Sequence, residues 1–181
     1  GAHYFTKRID TTLRGGIGYE IDAMLALLPQ ETVAVVVPAM PQSRRILVGG
    51  YSVIDSVALS CTDVARDVRT PVTESWVPGL LANQTQHHVG HIALSQVMQG
   101  NTVIQEQLQA RQQEGSRLIV VDAITLDDVN AIAHAVVDLN WNVLAVDPGP
   151  FTERLAVPRG LMREGKRTGQ QPLPRRAQNS S

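Results

Sequence analysis

The sequence contains little sulfur and few aromatic side chains. Its 181 residues include one cysteine, two tryptophans, three tyrosines and two phenylalanines. A single cysteine excludes an internal disulfide and a zinc site built from cysteines. Hydrophobic residues still make up 43% of the chain, so the core has to be aliphatic. At about 100–200 residues per domain, this length predicts one domain.

The sequence also lacks a long apolar run and a strong charge of one sign. No apolar stretch approaches the roughly 18 residues of a membrane helix, and no signal peptide opens the chain. We therefore expect no membrane partner and a cytoplasmic location. The formal net charge of −1 gives no reason to expect a nucleic-acid partner.

The basic residues are concentrated at the C-terminal end. Residues 159–181 carry one acidic group, Glu164, and few apolar residues, which is typical of a flexible segment. We predict a domain at 1–157 and a flexible basic tail or interdomain linker at 158–181. A nucleic-acid-binding arm is the weaker alternative, because the tail is short and lacks interleaved aromatic residues. The basic groups of the tail are Arg159, Arg163, Lys166, Arg167, Arg175 and Arg176.

Hydrophobic periodicity predicts an α/β fold. Short β-branched runs alternate with amphipathic segments, and short connections between them require parallel strands with right-handed crossovers. We predict a parallel, mixed-edge sheet flanked by helices, with a short irregular β-hairpin insertion at 46–60. The predicted strands lie at 3–9, 31–38, 89–95, 117–123 and 142–147, and the predicted helices at 16–28, 76–84, 101–114 and from 125 onward.

Three predicted strands finish on an aspartate, namely Asp10, Asp122 and Asp147. Parallel strands would bring these carboxylates to one edge of the sheet, where α/β proteins bind ligands. Alternatively, each aspartate caps the following helix or fixes a turn. The two interpretations are equally open for Asp122, which lies just before a capping-box sequence that starts at Thr125.

The polar segment between the first strand and the first helix is the densest chemical stretch. Its glycine-rich turn leads into a helix whose free N–H groups favour an anion, and a guanidinium there suits a carboxylate or phosphate. The glycine spacing matches no phosphate-loop pattern. The alternative is a plain turn in which the arginine pairs with Glu20 or Asp22. The polar side chains of this segment are Asp10, Thr11, Thr12 and Arg14.

His87, His88 and His91 lie close together in the sequence but do not share one face of a helix. We therefore predict no metal site. We interpret the three histidines as solvent-facing loop residues between a helix and a strand, although His91 also falls within the strand predicted at 89–95. A stand-alone hydrolase that uses the strand-end aspartates is a weaker functional hypothesis. No G-x-S-x-G sequence marks a nucleophile for such an enzyme.

Residues 7–15, K-R-I-D-T-T-L-R-G, resemble the K-x-x-D-S/T-T-L-R-G segment of the four-carbon acid sugar kinases, which act on erythronate, threonate or 3-oxo-tetronate. Further family-like runs follow in the same order, so the resemblance covers residues 4–155. These runs are V-P-A-x-P from 37, Arg45 with V-G-G at 48–50, T-D-V-A-R-D at 62–67, V-D-A at 121–123 and D-P-G-P-F-T at 147–152. Asp63 departs from the usual Glu, and Ser56 and Ala58 replace a Gly and a Pro.

The resemblance implies an ATP-dependent kinase that phosphorylates the terminal hydroxyl of a four-carbon sugar acid. The first family strand and the nucleotide-binding half have no counterpart here, so we expect an N-terminally incomplete substrate domain that is inactive alone. ATP and Mg are expected on the missing C-terminal domain, and none is expected on this chain alone. A truncated non-catalytic remnant that binds a ligand or partner is the alternative. The sheet edge left by the missing strand would invite self-association.

The resemblance also implies roles for individual residues. Asp10 would be catalytic, holding or deprotonating a hydroxyl of the sugar acid. Arg14, beside the helix N-terminus, would bind the substrate carboxylate or charge on the phosphoryl group. The other predicted substrate-binding residues are Thr11, Thr12, Arg45, Arg66, Asp67, Asp122 and Asp147.

Overall fold

The computed structural model describes residues 2–55, 57–58 and 75–156, with only the backbone at 57–58. Arg66, Asp67, the boundary predicted at residue 157 and the basic tail lie outside these ranges. The strands of the described ranges are β1 (Tyr4–Arg8), β2 (Val33–Val36), β3 (Arg45–Val48), β4 (Tyr51–Ile54), β5 (Val57–Ala58), β6 (His88–Ile92), β7 (Ser116–Val121) and β8 (Val143–Asp147).

Five strands form the main sheet, in the order β1-β8-β2-β7-β6. Each neighbouring pair is parallel; Arg8 lies opposite Asp147, and Val36 lies opposite both Val120 and Val146. This confirms the predicted parallel α/β fold. The carboxyl ends of all five strands therefore lie at one edge of the sheet, which we call the carboxyl edge.

The described helices are α1 (Ile17–Leu27), α2 (Val77–Ala82), α3 (Leu94–Val97), α4 (Asn101–Gln113), α5 (Leu126–Leu139) and α6 (Pro150–Ala156), with a 3₁₀ turn at Pro41–Ser43. The predicted helices correspond to α1, α2, α4 and α5. None of the helices in the described ranges is long and apolar enough to cross a membrane.

Two of these helices were not predicted. Residues 93–95 were expected to finish a strand, but β6 ends at Ile92 and α3 follows, because the Gln96 side chain accepts a hydrogen bond from the Ala93 N–H (3.2 Å). The Pro148-Gly149-Pro150 sequence was expected only to stop β8. It also starts α6, since proline lacks an N–H and fits the first turn of a helix.

Helices cover both faces of the sheet, which is why the strands are nearly continuous apolar runs. Alternate residues of one strand pack into opposite layers: Val36 faces α1 and α2, whereas Val35 faces α4, α5 and α6. The side chains of both layers are mostly aliphatic, as predicted, and Phe151 of α6 is fully buried.

The antiparallel hairpin of β3, β4 and β5 forms a separate three-stranded sheet. Leu47 of β3 exchanges two backbone hydrogen bonds with Ala123, just beyond β7, at 2.9 and 3.1 Å. Gly49 and Gly50 form the tight turn between β3 and β4, with φ of 61° and 81°. The hairpin insertion predicted from sequence therefore lies against the carboxyl edge.

Candidate functional site

The three strand-end aspartates lie at the carboxyl edge, as predicted. Asp147 is the last residue of β8, Asp122 follows β7, and Asp10 stands two residues beyond β1. Their surroundings differ. Asp122 and Asp147 are fully buried, whereas 39% of the Asp10 side chain is exposed. Asp10 is therefore the aspartate of the three that solvent reaches.

Asp10 is the centre of a hydrogen-bonded turn between β1 and α1. Its Oδ1 accepts the Thr12 N–H at 2.9 Å, and its Oδ2 accepts the Arg14 guanidinium at 2.7 Å (Nη2) and 3.2 Å (Nε). Arg14 Nε also donates to Thr12 Oγ1 at 3.1 Å. Leu13 anchors the turn in the core, with 2% of its surface exposed. The carboxylate and the guanidinium are thus held side by side.

The turn holds Asp10 in its ionised form. Partial burial alone would raise the pKa of Asp10, but the Thr12 and Arg14 hydrogen bonds and the Arg14 charge outweigh it. Together they lower the pKa of Asp10 below its ordinary value of 3.8. At neutral pH the site therefore presents a carboxylate acceptor next to a guanidinium donor.

Arg14 does not pair with Glu20 or Asp22, the alternative that the sequence left open. Glu20 pairs with Lys7, and Asp22 accepts hydrogen bonds from Thr85 Oγ1 and the Gln86 N–H. Arg14 points away from both acidic side chains because Leu13 adopts a left-handed conformation (φ 58°) and donates its N–H to the Asp10 carbonyl at 3.0 Å. This turn directs Arg14 back over Asp10.

The turn ends at the N-terminus of α1, where Gly16 is the cap residue and supplies no side-chain hydrogen bond. The Gly18 N–H donates to Gln84 Oε1 at 2.7 Å. A helix N-terminus carries partial positive charge. The Asp10–Arg14 pair therefore stands beside a region that favours an anion.

Asp147 has its carboxylate engaged by the helix that follows it. Its Oδ2 accepts the N–H groups of Gly149 (2.7 Å) and Phe151 (2.8 Å), and its Oδ1 accepts the Thr152 hydroxyl. This is the capping interpretation that the sequence allowed. Substrate contact by Asp147 stays a prediction.

The Asp122 carboxylate accepts four hydrogen bonds from described residues, one more than that of Asp147. Its Oδ1 accepts the Gly50 N–H (2.9 Å) and His91 Nε2 (2.8 Å), and its Oδ2 accepts the N–H groups of Gly49 (2.7 Å) and Leu94 (2.8 Å). The buried carboxylate joins the hairpin, β6 and α3. Substrate contact by Asp122 also stays a prediction.

The predicted loop position of the histidines is wrong for two of the three. His88 and His91 lie in β6, which starts one residue before the predicted strand because His88 pairs with Ser116 of β7. His88 Nδ1 bonds Ser116 Oγ at 2.7 Å, and His91 bonds Asp122. No group of three potential metal ligands occurs in the described part of the chain.

Arg45 begins β3 and is partly buried. Its Nε is buried and has no hydrogen-bond partner among the described residues. A buried guanidinium N–H without a partner is costly, and Thr32 Oγ1 and Arg111 Nε are in the same state. Thr11 is partly buried beside Asp10, and its role stays a prediction, as do those of Arg66 and Asp67 outside the described residues.

The fold and this edge define an α/β domain whose exposed polar turn suits a small anionic ligand. The family model described as "Sugar-binding N-terminal domain" matches residues 1–155. The chain belongs to this family of sugar-binding N-terminal domains.

Curated relatives are sugar-acid kinases. The chain is 52% identical over 152 residues to D-erythronate kinase of Heliobacterium modesticaldum, an alignment that covers 84% of this chain and 35% of that enzyme. It is 34% identical over 129 residues to D-threonate kinase of Salmonella typhimurium, covering 71% and 30%. The chain thus spans about a third of the length of the relatives it matches.

Solved structures share the fold. A Haemophilus influenzae protein superposes with a TM-score of 0.80 at 26% identity, over 94% of this chain and 40% of that one. A Bordetella bronchiseptica protein, solved as a domain-swapped dimer with bound citrate, gives 0.69 at 29% identity, over 86% and 37%.

Proposed function

We propose that this chain is the substrate-binding part of an ATP-dependent kinase that phosphorylates a four-carbon sugar acid such as erythronate, threonate or 3-oxo-tetronate. The observation that carries the proposal is the Asp10–Arg14 pair, held at 2.7 Å and solvent-accessible at the carboxyl edge. The sugar-acid kinases among the relatives support the same substrate class.

The pair matches the two chemical parts of a sugar acid. A guanidinium can meet a carboxylate with two parallel hydrogen bonds, and the N-terminus of α1 adds favourable charge beside it. The Asp10 carboxylate can accept hydrogen bonds from sugar hydroxyls. Thr11 and Thr12 offer further hydroxyl groups, and Arg45 offers its unsatisfied Nε–H from the hairpin.

The environment of Asp10 favours one of its two predicted roles. A general base works best when its pKa lies near the working pH, and the pKa of Asp10 is lowered. We therefore assign Asp10 to holding and orienting a hydroxyl rather than to removing its proton. In phosphoryl transfer, such positioning supplies much of the catalysis.

The nucleotide is proposed to bind elsewhere in the whole enzyme. The chain spans about a third of its kinase relatives, and the buried carboxylates of Asp122 and Asp147 already accept several donors each. These two carboxylates are therefore poor candidates for magnesium ligands. We propose that ATP and Mg bind in a region that corresponds to the part of the kinase relatives that this chain does not match, and that the 181 residues alone do not phosphorylate.

Calorimetry on the 181-residue chain tests the proposal. D-Erythronate, D-threonate and ATP with Mg are titrated separately, and Asp10→Asn is compared with Asp55→Asn, a carboxylate on the hairpin surface. We expect saturable binding of at least one acid, weakened by Asp10→Asn but not by Asp55→Asn, and no binding of ATP with Mg. Absence of acid binding at millimolar concentration would overturn the proposal.

Self-association and location complete the proposal. β1 lies at one end of the sheet order, and a structural relative is a domain-swapped dimer, so we propose that the chain self-associates through this edge. Light scattering over a concentration series measures the mass directly.

A kinase that uses cellular ATP is proposed to work in the cytoplasm.

A further inference from the structure

One buried carboxylate joins three separate segments at the carboxyl edge. Asp122 has no exposed surface, and its four hydrogen bonds come from the Gly49–Gly50 turn, Leu94 and His91. A carboxylate has about four lone-pair positions, so these donors fill them. Asp122 therefore has no acceptor position left for a substrate and acts on the segments around it.

The turn that Asp122 holds is confined from two sides. A Cβ atom on Gly50 would lie 2.7 Å from Trp76 Nε1 and 3.0 Å from Pro78 Cδ, so the indole packs directly against the turn. The two glycine N–H groups point to Asp122. The Asp122 carboxylate therefore holds the N–H side of the turn, while the Gly50 carbonyl accepts the Val77 N–H at 2.8 Å.

His91 supplies the side-chain donor of this arrangement, at 2.8 Å from Asp122 Oδ1. The other three donors are backbone N–H groups. His91 belongs to β6, an end strand of the main sheet, and a quarter of its side chain is exposed. Because a buried carboxylate needs every one of its donors, His91 restrains the carboxylate relative to the sheet.

We propose that His91 is a positioning residue for the sugar-acid site: through Asp122 it fixes the Gly49–Gly50 turn and thereby the β3–β4 hairpin that carries Arg45. This inference rests on the proposed function, since it assigns the hairpin to the same ligand. It also gives Asp122 an indirect role in place of direct substrate contact.

Four variants of the 181-residue chain test the inference. His91→Phe keeps a planar ring but removes the donor, and His91→Gln restores an N–H donor. His88→Phe is the matched control, because His88 lies in the same strand but bonds Ser116 at the opposite edge. His91→Asn, with an amide too short to reach Asp122, replaces His91→Phe if that variant does not fold.

Two measurements are made on each variant. The first is amide hydrogen exchange of Gly49 and Gly50 by NMR without ligand; the second is sugar-acid affinity by calorimetry. We expect His91→Phe to speed exchange of both glycines about tenfold or more and to weaken acid binding about fivefold, corresponding to roughly 1 kcal/mol. His91→Gln should recover most of both effects, and His88→Phe should change neither.

The outcomes separate this inference from the proposed function. Unchanged glycine exchange in His91→Phe would overturn the claim that His91 fixes the turn. Faster exchange with unchanged acid affinity would overturn the claim that the turn serves the site. If the unaltered chain binds no sugar acid, the proposed function fails, while the exchange data still decide whether His91 holds the turn.

Discussion

Replacing Arg14 with alanine separates a ligand-binding arginine from a surface ion pair. The Arg14–Asp10 bond of 2.7 Å lies between side chains that are 47% and 39% exposed. Pairs exposed to this degree contribute about 0–1 kcal/mol to folding. The free energy of unfolding should therefore fall by less than about 1 kcal/mol, although the pKa of Asp10 should rise towards its ordinary value.

The expected effect on ligand affinity is larger. A hydrogen bond between charged groups contributes about 1.5–3 kcal/mol, and about 1.4 kcal/mol corresponds to a tenfold change in Kd. Arg14→Ala should therefore weaken sugar-acid binding more than about tenfold. Arg14→Lys should recover only part of that loss, because an ammonium cannot form two parallel bonds to a carboxylate.

Calorimetry gives the affinity and urea denaturation gives the stability of the same samples. Arg44→Ala is the matched control, since Arg44 forms an exposed pair with Asp55 at 3.6 Å on the hairpin. Its acid affinity should equal that of the unaltered chain. The reasoning is refuted if Arg14→Ala binds the acid within about twofold of the unaltered chain and shows only a small shift in its urea midpoint.

Three further predictions concern stability. The pKa of Asp10 is lowered in the folded chain, so Asp10 stabilises the fold at pH values above its unfolded pKa, and this stabilisation is lost as the pH falls through the folded pKa. The difference between the urea midpoints at about pH 7 and about pH 3 should therefore be smaller in Asp10→Asn than in the unaltered chain. Asp147→Ala leaves the buried N–H groups at the start of α6 without an acceptor, so the free energy of unfolding should fall by about 2–4 kcal/mol. A fall of less than about 1 kcal/mol would contradict the capping role of Asp147. Gly50→Ala and Gly100→Ala both place a side chain at positive φ, but only the new side chain at residue 50 meets Trp76, whereas nothing lies within 4 Å of the one at residue 100. Thermal melts should show Gly50→Ala to be less stable than Gly100→Ala by about 1 kcal/mol or more. Equal losses of stability in the two variants would argue against the packing of the turn.

The sheet and its edge were predictable because their signals are local. A short run rich in valine such as 33–36 is typical of a strand buried on both faces, and a helix between successive strands favours parallel pairing. The shared edge of Asp10, Asp122 and Asp147 follows from that pairing alone. The reason why α6 was not predicted is local as well. A proline that ends a strand and a proline in the first turn of a helix look the same in the sequence.

The bonding within the site was less predictable. His91 and Asp122 are 31 residues apart, and Gly50 and Asp122 are 72 apart, so only the folded sheet and hairpin bring them together. The Asp10–Arg14 pair is local, yet it depends on a left-handed leucine, a conformation that non-glycine residues seldom adopt. Burial of Leu13 in the core stabilises that conformation, and sequence spacing gives no sign of it.

Amide chemical-shift mapping with D-erythronate is the most direct test of the central claim that this domain recognises a four-carbon sugar acid at the carboxyl edge. A titration of the isotopically labelled chain should produce saturable shifts at residues 10–18 and at Gly49 and Gly50. Residues of the opposite edge, such as Thr32, His88 and Trp141, should not move. Shifts confined to that opposite edge, or none at saturating acid, would contradict the account.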